Sequence, residues 1–362
     1  MKKRLLIWYK SKSKIKNALA LFIMTIFMIA YIDMKAIKRT AKAIDPDHST
    51  KLFWDIFLTD LIFGFEPSNY AEYHFHGKPL KQRLTFLSFT EMILFSRSIN
   101  LQAKIEILDK KQNTYAYFKE YFHRDQIAIK TEADKSKYDE FIQKHPIFFA
   151  KPSGRASGHG ARIVKTQEQD KNQVFTELIS QGEYILEERI VQCQEMAQFN
   201  PTSINTIRTA LVSTEDGIQM LFAELRTGRK GSIVDNGGSG GVLVPIDINT
   251  GKLCKHGFDN TGKIYTAHPD SNVTFENFQI PRWDEIQQLS KELMAKIHNL
   301  KYVGWDISIT DQGLTIVEGN SRAMFGGLQG MHPEGFKNEL LHILRQNKIP
   351  ESFRIKQQEI FS

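Results

Sequence analysis

YVGWDISITDQGLTIVEGN, residues 302–320, reads as two short strands joined by a tight turn. Val303, Trp305, Ile307 and Ile309 alternate with Gly304, Asp306 and Ser308, the period of a strand. Asp311-Gln312-Gly313 offers a three-residue turn with glycine last, where a left-handed residue is commonly needed. Pairing Thr310 with Leu314 and counting outward sets Asp306 directly opposite Glu318; a bulge would slip that register by one residue. Asn320 lies two residues beyond Glu318 and shares its face. Carboxylates facing each other across a ladder repel, so the arrangement makes sense with a cation between them. A hard cation such as Mg²⁺ takes oxygen ligands and usually keeps substrate phosphates in its shell. A solvated hairpin carrying ordinary acids is the competing reading, and the rest of the chain decides between them.

Immediately upstream, Pro281 suits a first helical turn, and Ile286, Leu289, Leu293 and Ile297 follow at helical spacing as a core stripe. Downstream, GFKNELLHILRQ reads as a closing helix. Residues 200–247 read as a meander: NPTSINTIRTALVST and GIQMLFAELRTGR flank the turn signal Glu215-Asp216-Gly217. Arg208, Arg226 and Arg229 recur there, beside the glycine-rich loop of residues 235–241. Such arginines are either solvated or recognise phosphate or carboxylate. In GEYILEERIV, Glu187 and Glu188 sit beside Ile190 on a strand whose edge would present backbone groups to adenine. By composition it is indistinguishable from any amphipathic strand.

HPIFFAKPSGRASGHGARIVKT, residues 145–166, carries a strand ending in Lys151-Pro152 and a small-residue loop holding Ser153, Gly154, Ser157, Gly158 and Gly160. Glycines let backbone N–H groups approach a polyphosphate, and the strand-end lysine adds a compact positive charge. A plain flexible turn is the alternative. His123-Arg124-Asp125 mimics a protein-kinase catalytic loop, but Lys130 stands where that motif needs Asn and no DFG occurs. No Walker-type loop occurs either. His74 and His76 lack further ligands at metal-like spacing.

Residues 1–43 carry eleven Lys or Arg against one acid, Asp33, so this segment holds +10 of a chain totalling +7, and residues 44–362 hold −3. A nucleic-acid binder would spread basic residues over its body, interleaved with aromatics, and no such patch is present. Residues 18–32, ALALFIMTIFMIAYI, are free of charge but short of the run of roughly 20 that spans a bilayer. No small-residue cleavage site follows them. Two readings stay open: peripheral contact with the anionic cytoplasmic leaflet, or a buried helix. Cys193 and Cys254 have no metal or redox spacing and fit thiols in a reducing compartment. Localisation is therefore expected in the cytoplasm, at the inner face of the membrane where the first reading holds.

The series Lys110, KPSGRASGHG, ILEERI, NTIR, LRTGRKGSIVDNGGSGG and GWDISIT…VEGNSRAMFGG, in this order, resembles the ATP-grasp superfamily. The likeness runs from about Asn100 to Gln346 and looks most like the sugar-transfer-associated subgroup, linked to surface polysaccharide synthesis. It implies an α+β fold in which two α+β subdomains, residues 101–190 and 191–362, grip a nucleotide behind a helical region at 44–100. Lys110 and Lys151 would contact the phosphates of ATP, and residues 153–160 would close over them. Glu187 and Ile190, with Glu188 beside them, would meet adenine through the backbone. Glu195 would take the ribose, with Gln194 competing. Asp306, Glu318 and Asn320 fall on the family's ligands for Mg²⁺, or Mn²⁺ in its place. Arg208, Arg226 and Asn236 resemble positions that hold the acceptor carboxylate or the transferring phosphoryl group, with Arg229 as alternative to Arg226. Arg155 and His159 depart from the usual small residues of the flap.

The implied reaction is ATP-dependent carboxylate–amine ligation through an acyl phosphate, with a small carboxylate acceptor and an amine donor, sugar-linked in a surface glycan. A kinase of the same fold acting on a sugar hydroxyl, and a membrane-attached nucleotide-binding scaffold without turnover, are the alternatives.

Overall fold

The structure, a computed structural model, describes residues 32–100, 103–153, 160–229, 231–233, 240–332 and 334–347. Two antiparallel sheets organise it. The smaller contains β1 (Gln126–Ile129), β2 (Ile147–Pro152), β3 (Arg162–Lys165) and β4 (Tyr184–Glu188) in the order β1-β4-β2-β3. The larger contains β5 (Thr206–Thr214), β6 (Gly217–Thr227), β7 (Val242–Ile246), β8 (Gly257–Phe258), β9 (Ile264–Tyr265), β10 (Tyr302–Thr310) and β11 (Gly313–Asn320). Its order is β11-β10-β5-β6-β7-β8-β9.

The hairpin of β10 and β11 forms, with a different turn from the one expected. Thr310 pairs with Gly313, not with Leu314, leaving a two-residue turn. Gly313 takes φ +142°, and the Thr310 hydroxyl donates to its carbonyl at 2.9 Å. Ile307 faces Ile316, and a bulge between Asp306 and Ile307 lets β11 pass Val317 before Glu318 meets Asp306. The shorter turn and the bulge offset each other, so the acidic pair stands in register.

Period-2 alternation gives each sheet a face to bury and a face to use. On one side of the large sheet Ile207, Leu211, Val303, Trp305 and Ile307 pack against the helix Trp283–Ala295 through Ile286, Leu293 and Met294. Burying each such side chain is worth about 1.5–3 kcal/mol. On the other side, Ala210, Val212, Phe222 and Tyr302 lie under Met92, Phe95, Leu340 and Leu344 of the helices Phe89–Ile99 and Lys337–Gln346. Arg208, Asp306 and Glu224 belong to this second face, beyond the end of its apolar part. In the small sheet, Phe148, Ala150, Tyr184 and Leu186 bury against the helices Lys135–Lys144 and Lys171–Ser180. The alternate residues Phe149, Lys151 and Glu187 are left for the opposite face.

The helices Met34–Ile44, Ser49–Phe63 and Pro67–Glu72 form a third layer around Ile37, Ile56, Phe65, Tyr70, Tyr73 and Phe86. Asp33 caps the first of them, accepting from Ala36 N at 2.9 Å. Gln329 ties this layer to the segment after β11: its Oε1 accepts from Leu87 N at 2.8 Å, and its Nε2 donates to Leu87 O and Tyr73 OH, both at 3.2 Å. Asn100 clips the start of β10, accepting from Lys301 N and Tyr302 N at 3.0 Å. No helix among the described residues is long and apolar enough to cross a membrane. Cys193 is buried and Cys254 exposed, both free thiols. Residues 18–31 of the apolar run lie outside the described residues, as do residues 154–159, including Gly154, Arg155, Ser157, Gly158 and His159, and residues 234–239, including Asn236.

Candidate active site

The facing surfaces of the two sheets bound a cavity of about 620 Å³. Lys151 and Glu187 reach it from β2 and β4; Arg208, Arg226, Asp306, Glu318 and Asn320 reach it from the large sheet. Arg208 lies in register between Asp306 on β10 and Glu224 on β6, and Asp306 lies between Arg208 and Glu318 on β11. One row across four strands thus runs acid, acid, base, acid.

Within the row, Arg208 holds Asp306 in a bidentate pair, through Nε to Oδ1 and through Nη2 to Oδ2 at 2.6 Å. Both side chains are buried. Burial alone would push the Asp306 carboxyl up; the Arg208 guanidinium, with Arg226 behind it, outweighs that and holds it below the usual carboxylate range. Arg226 donates to Glu224 Oε1 at 2.9 Å, and its Nη1 lies 4.0 Å from Asp306. The cation that the facing carboxylates require on one side of Asp306 is therefore an arginine. Toward Glu318 the donors are oxygens of two carboxylates and one amide, and Asn320 Nδ2 is buried without a hydrogen-bond partner. A carboxylate has about four acceptor directions, of which Arg208 uses two. This all-oxygen set fits a hard divalent cation.

Across the cavity, Lys151 Nζ contacts Glu187 Oε1 at 2.8 Å, and Arg124 Nη2 lies 3.6 Å from the same oxygen. Burial pushes the Lys151 ammonium down, with Glu187 opposing. At Glu187 burial acts upward, but Lys151 and Arg124 together hold the carboxyl low. Arg124 is itself buried and donates from Nη1 to Ile316 O at 2.5 Å and to Thr315 Oγ1 at 3.2 Å. One guanidinium thus links the small sheet to β11.

Several expected positions stand elsewhere. Lys110 is exposed, and Lys111 lines the cavity instead. The residues alternate around a helix start, so one step turns a side chain from solvent to cavity. Glu187 and Glu188 do not form a strand edge: β4 pairs with β1 and β2 on its two sides, and Glu188 N donates to Asp125 O at 2.9 Å. The backbone free of the sheet begins at residue 189, and residues 189–192, including Ile190, line the cavity. The carboxylate of Glu188 accepts from Asp125 N at 3.0 Å. Glu195 and Gln194 are exposed and are not among the lining residues, whereas Gln192 is. Arg229 pairs with Asp270 at 2.7 Å and 3.0 Å, off the cavity. Ser153 donates its N–H to Glu183 O at 2.9 Å, and Gly160 takes φ +80° in an exposed turn. Arg322, two residues past Asn320, lines the cavity and contacts Asp109 at 3.3 Å. Sequence spacing alone carried no signal for Lys111, Arg124 or Arg322.

The family described as sugar-transfer associated ATP-grasp matches residues 92–345. Solved structures similar to this chain include an N5-carboxyaminoimidazole synthetase from Staphylococcus aureus complexed with ADP, at 13% identity and a TM-score of 0.44 over 67% of this chain and 53% of that one. A second is the ATP-grasp ligase PsnB complexed with minimal precursor, at 14% identity and a TM-score of 0.40 over 65% and 60%. A third is the D-alanine-D-alanine ligase from Coxiella burnetii, at 12% identity and a TM-score of 0.39 over 70% and 60%. The likeness thus spans 53% to 60% of those structures' own length. No curated protein matches the chain.

Proposed function

The chain belongs to the sugar-transfer-associated ATP-grasp family and has the ATP-grasp fold, and from that premise we propose that it is an ATP-dependent carboxylate–amine ligase acting in surface polysaccharide biosynthesis. The observation that carries the reading is the convergence of Lys151 and Lys111 with Arg208, Arg226, Asp306, Glu318 and Asn320 on one cavity. Phosphoryl transfer asks the protein for positioning and charge stabilisation, and this is a lysine–arginine–carboxylate set of that kind. Adenine lies against the backbone of residues 189–192. Lys151 and Lys111 meet the phosphates.

Asp306, Glu318 and Asn320 would hold Mg²⁺, or Mn²⁺ in its place, which when bound would neutralise phosphate charge. Arg208 and Arg226 stabilise negative charge on the transferring group. A carboxylate oxygen of the acceptor attacks the γ-phosphorus, the bond to the β-phosphate oxygen breaks and ADP leaves. The amine nitrogen of the donor then attacks the acyl carbon; phosphate leaves, the nitrogen gives up its proton and an amide remains. The acceptor is a small carboxylate and the donor an amine, one of them sugar-linked. Catalysis takes place in the cytoplasm, at the inner face of the membrane.

Hydroxylamine tests the central step. With ATP, Mg²⁺ and a panel of sugar-linked carboxylates, an acyl phosphate is trapped as a hydroxamate with stoichiometric ADP. A stable phosphate ester instead would make the protein a kinase and overturn the ligase reading. ATP binding without turnover over a broad acceptor panel would leave only a scaffold.

A further inference from the structure

Helix Ser49–Phe63, STKLFWDIFLTDLIF, carries apolar residues on its outer as well as its inner side, with Lys51 exposed near its start and Asp55 paired with Arg83 at 2.8 Å. Its inner side buries Leu52 and Ile56. On the opposite side Trp54, Leu58 and Ile62, spaced by four, form one stripe and stand 55%, 47% and 53% exposed. Helix Met34–Ile44 packs beside it through Ile37 and Ala41. The outward residues of that helix are basic: Lys35, Lys38, Arg39 and Lys42 are all exposed, and the helix contains no acid. The charge-free run of residues 18–32 ends at Ile32, which is buried in this same layer.

We propose that the outward face of these two helices is a membrane-docking surface for an anionic bilayer. An exposed apolar stripe beside a row of lysines and arginine matches the acyl boundary and the negative headgroups of such a surface. Tryptophan at the stripe suits the interfacial level. A second copy of the chain fits this face poorly. A two-fold contact would bring like charges together, and three side chains fall short of the roughly 1,200–2,000 Å² that a stable interface buries. The surface lies on the helical layer, apart from the residues of the cavity, so nucleotide binding and docking fail separately.

The test uses the full chain with vesicles of phosphatidylcholine alone or mixed with phosphatidylglycerol, separated by flotation. The expected result is binding to the anionic vesicles, weakened by salt, and weakened about tenfold or more in the Leu58→Glu/Ile62→Glu double variant. Mant-ATP binding is unchanged by that variant, which shows that it is folded. Undiminished flotation of the double variant overturns the proposal, because residues 1–31 would then carry binding alone. It also fails if the wild type stays with the protein fraction. In that case, a dimer lost in the double variant by light scattering assigns the stripe to a second copy. A monomer that loses thermal stability in the double variant assigns it to residues 18–31 of the same chain.

Discussion

Asp306 and Glu318 face each other in one cavity, yet their substitutions separate. Asp306→Asn leaves the buried Arg208 guanidinium without its charged partner, and breaking a buried pair in this way costs about 3–5 kcal/mol. Glu318→Gln keeps shape and leaves Arg208 paired. Both variants are expected to lose about a hundredfold or more in turnover, but only Asp306→Asn lowers the denaturation midpoint. Equal stability of the two variants would contradict the buried pairing. Glu72 gives a pH prediction. Burial raises its carboxyl from 4.5 to about 7, so between those values the folded state keeps a proton that the unfolded chain has released. Its contribution to stability therefore falls as pH rises through that window, by at most about 1.4 kcal/mol per pH unit. Glu72→Gln should flatten this limb in melting curves taken from pH 5 to 8; a wild-type slope in the variant would refute the assignment. At this scale the sequence was readable where side chains alternate strictly. Asp306, Glu318 and Asn320 were placed on one face by counting. Lys110 against Lys111, and Arg229 against Arg226, were not, because a helix start and a strand end rotate neighbours by an amount that composition does not encode.

The hairpin of β10 and β11 was legible as an element, and its acidic register came out right through two offsetting departures. A two-residue turn and a bulge are both invisible to a period-2 count, which sees only the sum of residues. The β4 edge was misread for another reason. Whether a strand is central depends on partners brought from β1 and β2, far apart in sequence. Gly304, two residues before Asp306, carries the element's own prediction. A Cβ there would lie 2.4 Å from Ala323 Cβ and 3.2 Å from Arg208 Cδ. Neither the alanine nor the paired arginine gives way cheaply, so Gly304→Ala should cost about 1–3 kcal/mol and lower turnover by displacing Arg208. Wild-type activity in that variant would show that β10 shifts freely.

At the scale of the whole molecule, the cavity draws its cations from both sheets and its carboxylate platform from one. Nucleotide filling it bridges the two, so Mg²⁺-ATP should raise the melting temperature. At a hundredfold excess over Kd the gain is about 2.7 kcal/mol. Glu318→Gln should shrink that gain, and an identical shift in wild type and variant would argue against a bridging role for β11. The two-sheet plan was readable from the order of motifs. The helical layer's attachment was not, because it uses long-range contacts such as those of Gln329 with Leu87 and Tyr73, more than two hundred residues away in the chain.

That attachment limits how the chain can be divided. Trimming to the matched region, which begins at residue 92, would strip Leu87 and Tyr73 from Gln329 and open to water Phe325 and Leu328, which are buried in one cluster with Leu87. The helical layer is thus a keystone for the segment that follows Asn320, and an enzyme shortened to its family core should be recovered as misfolded material.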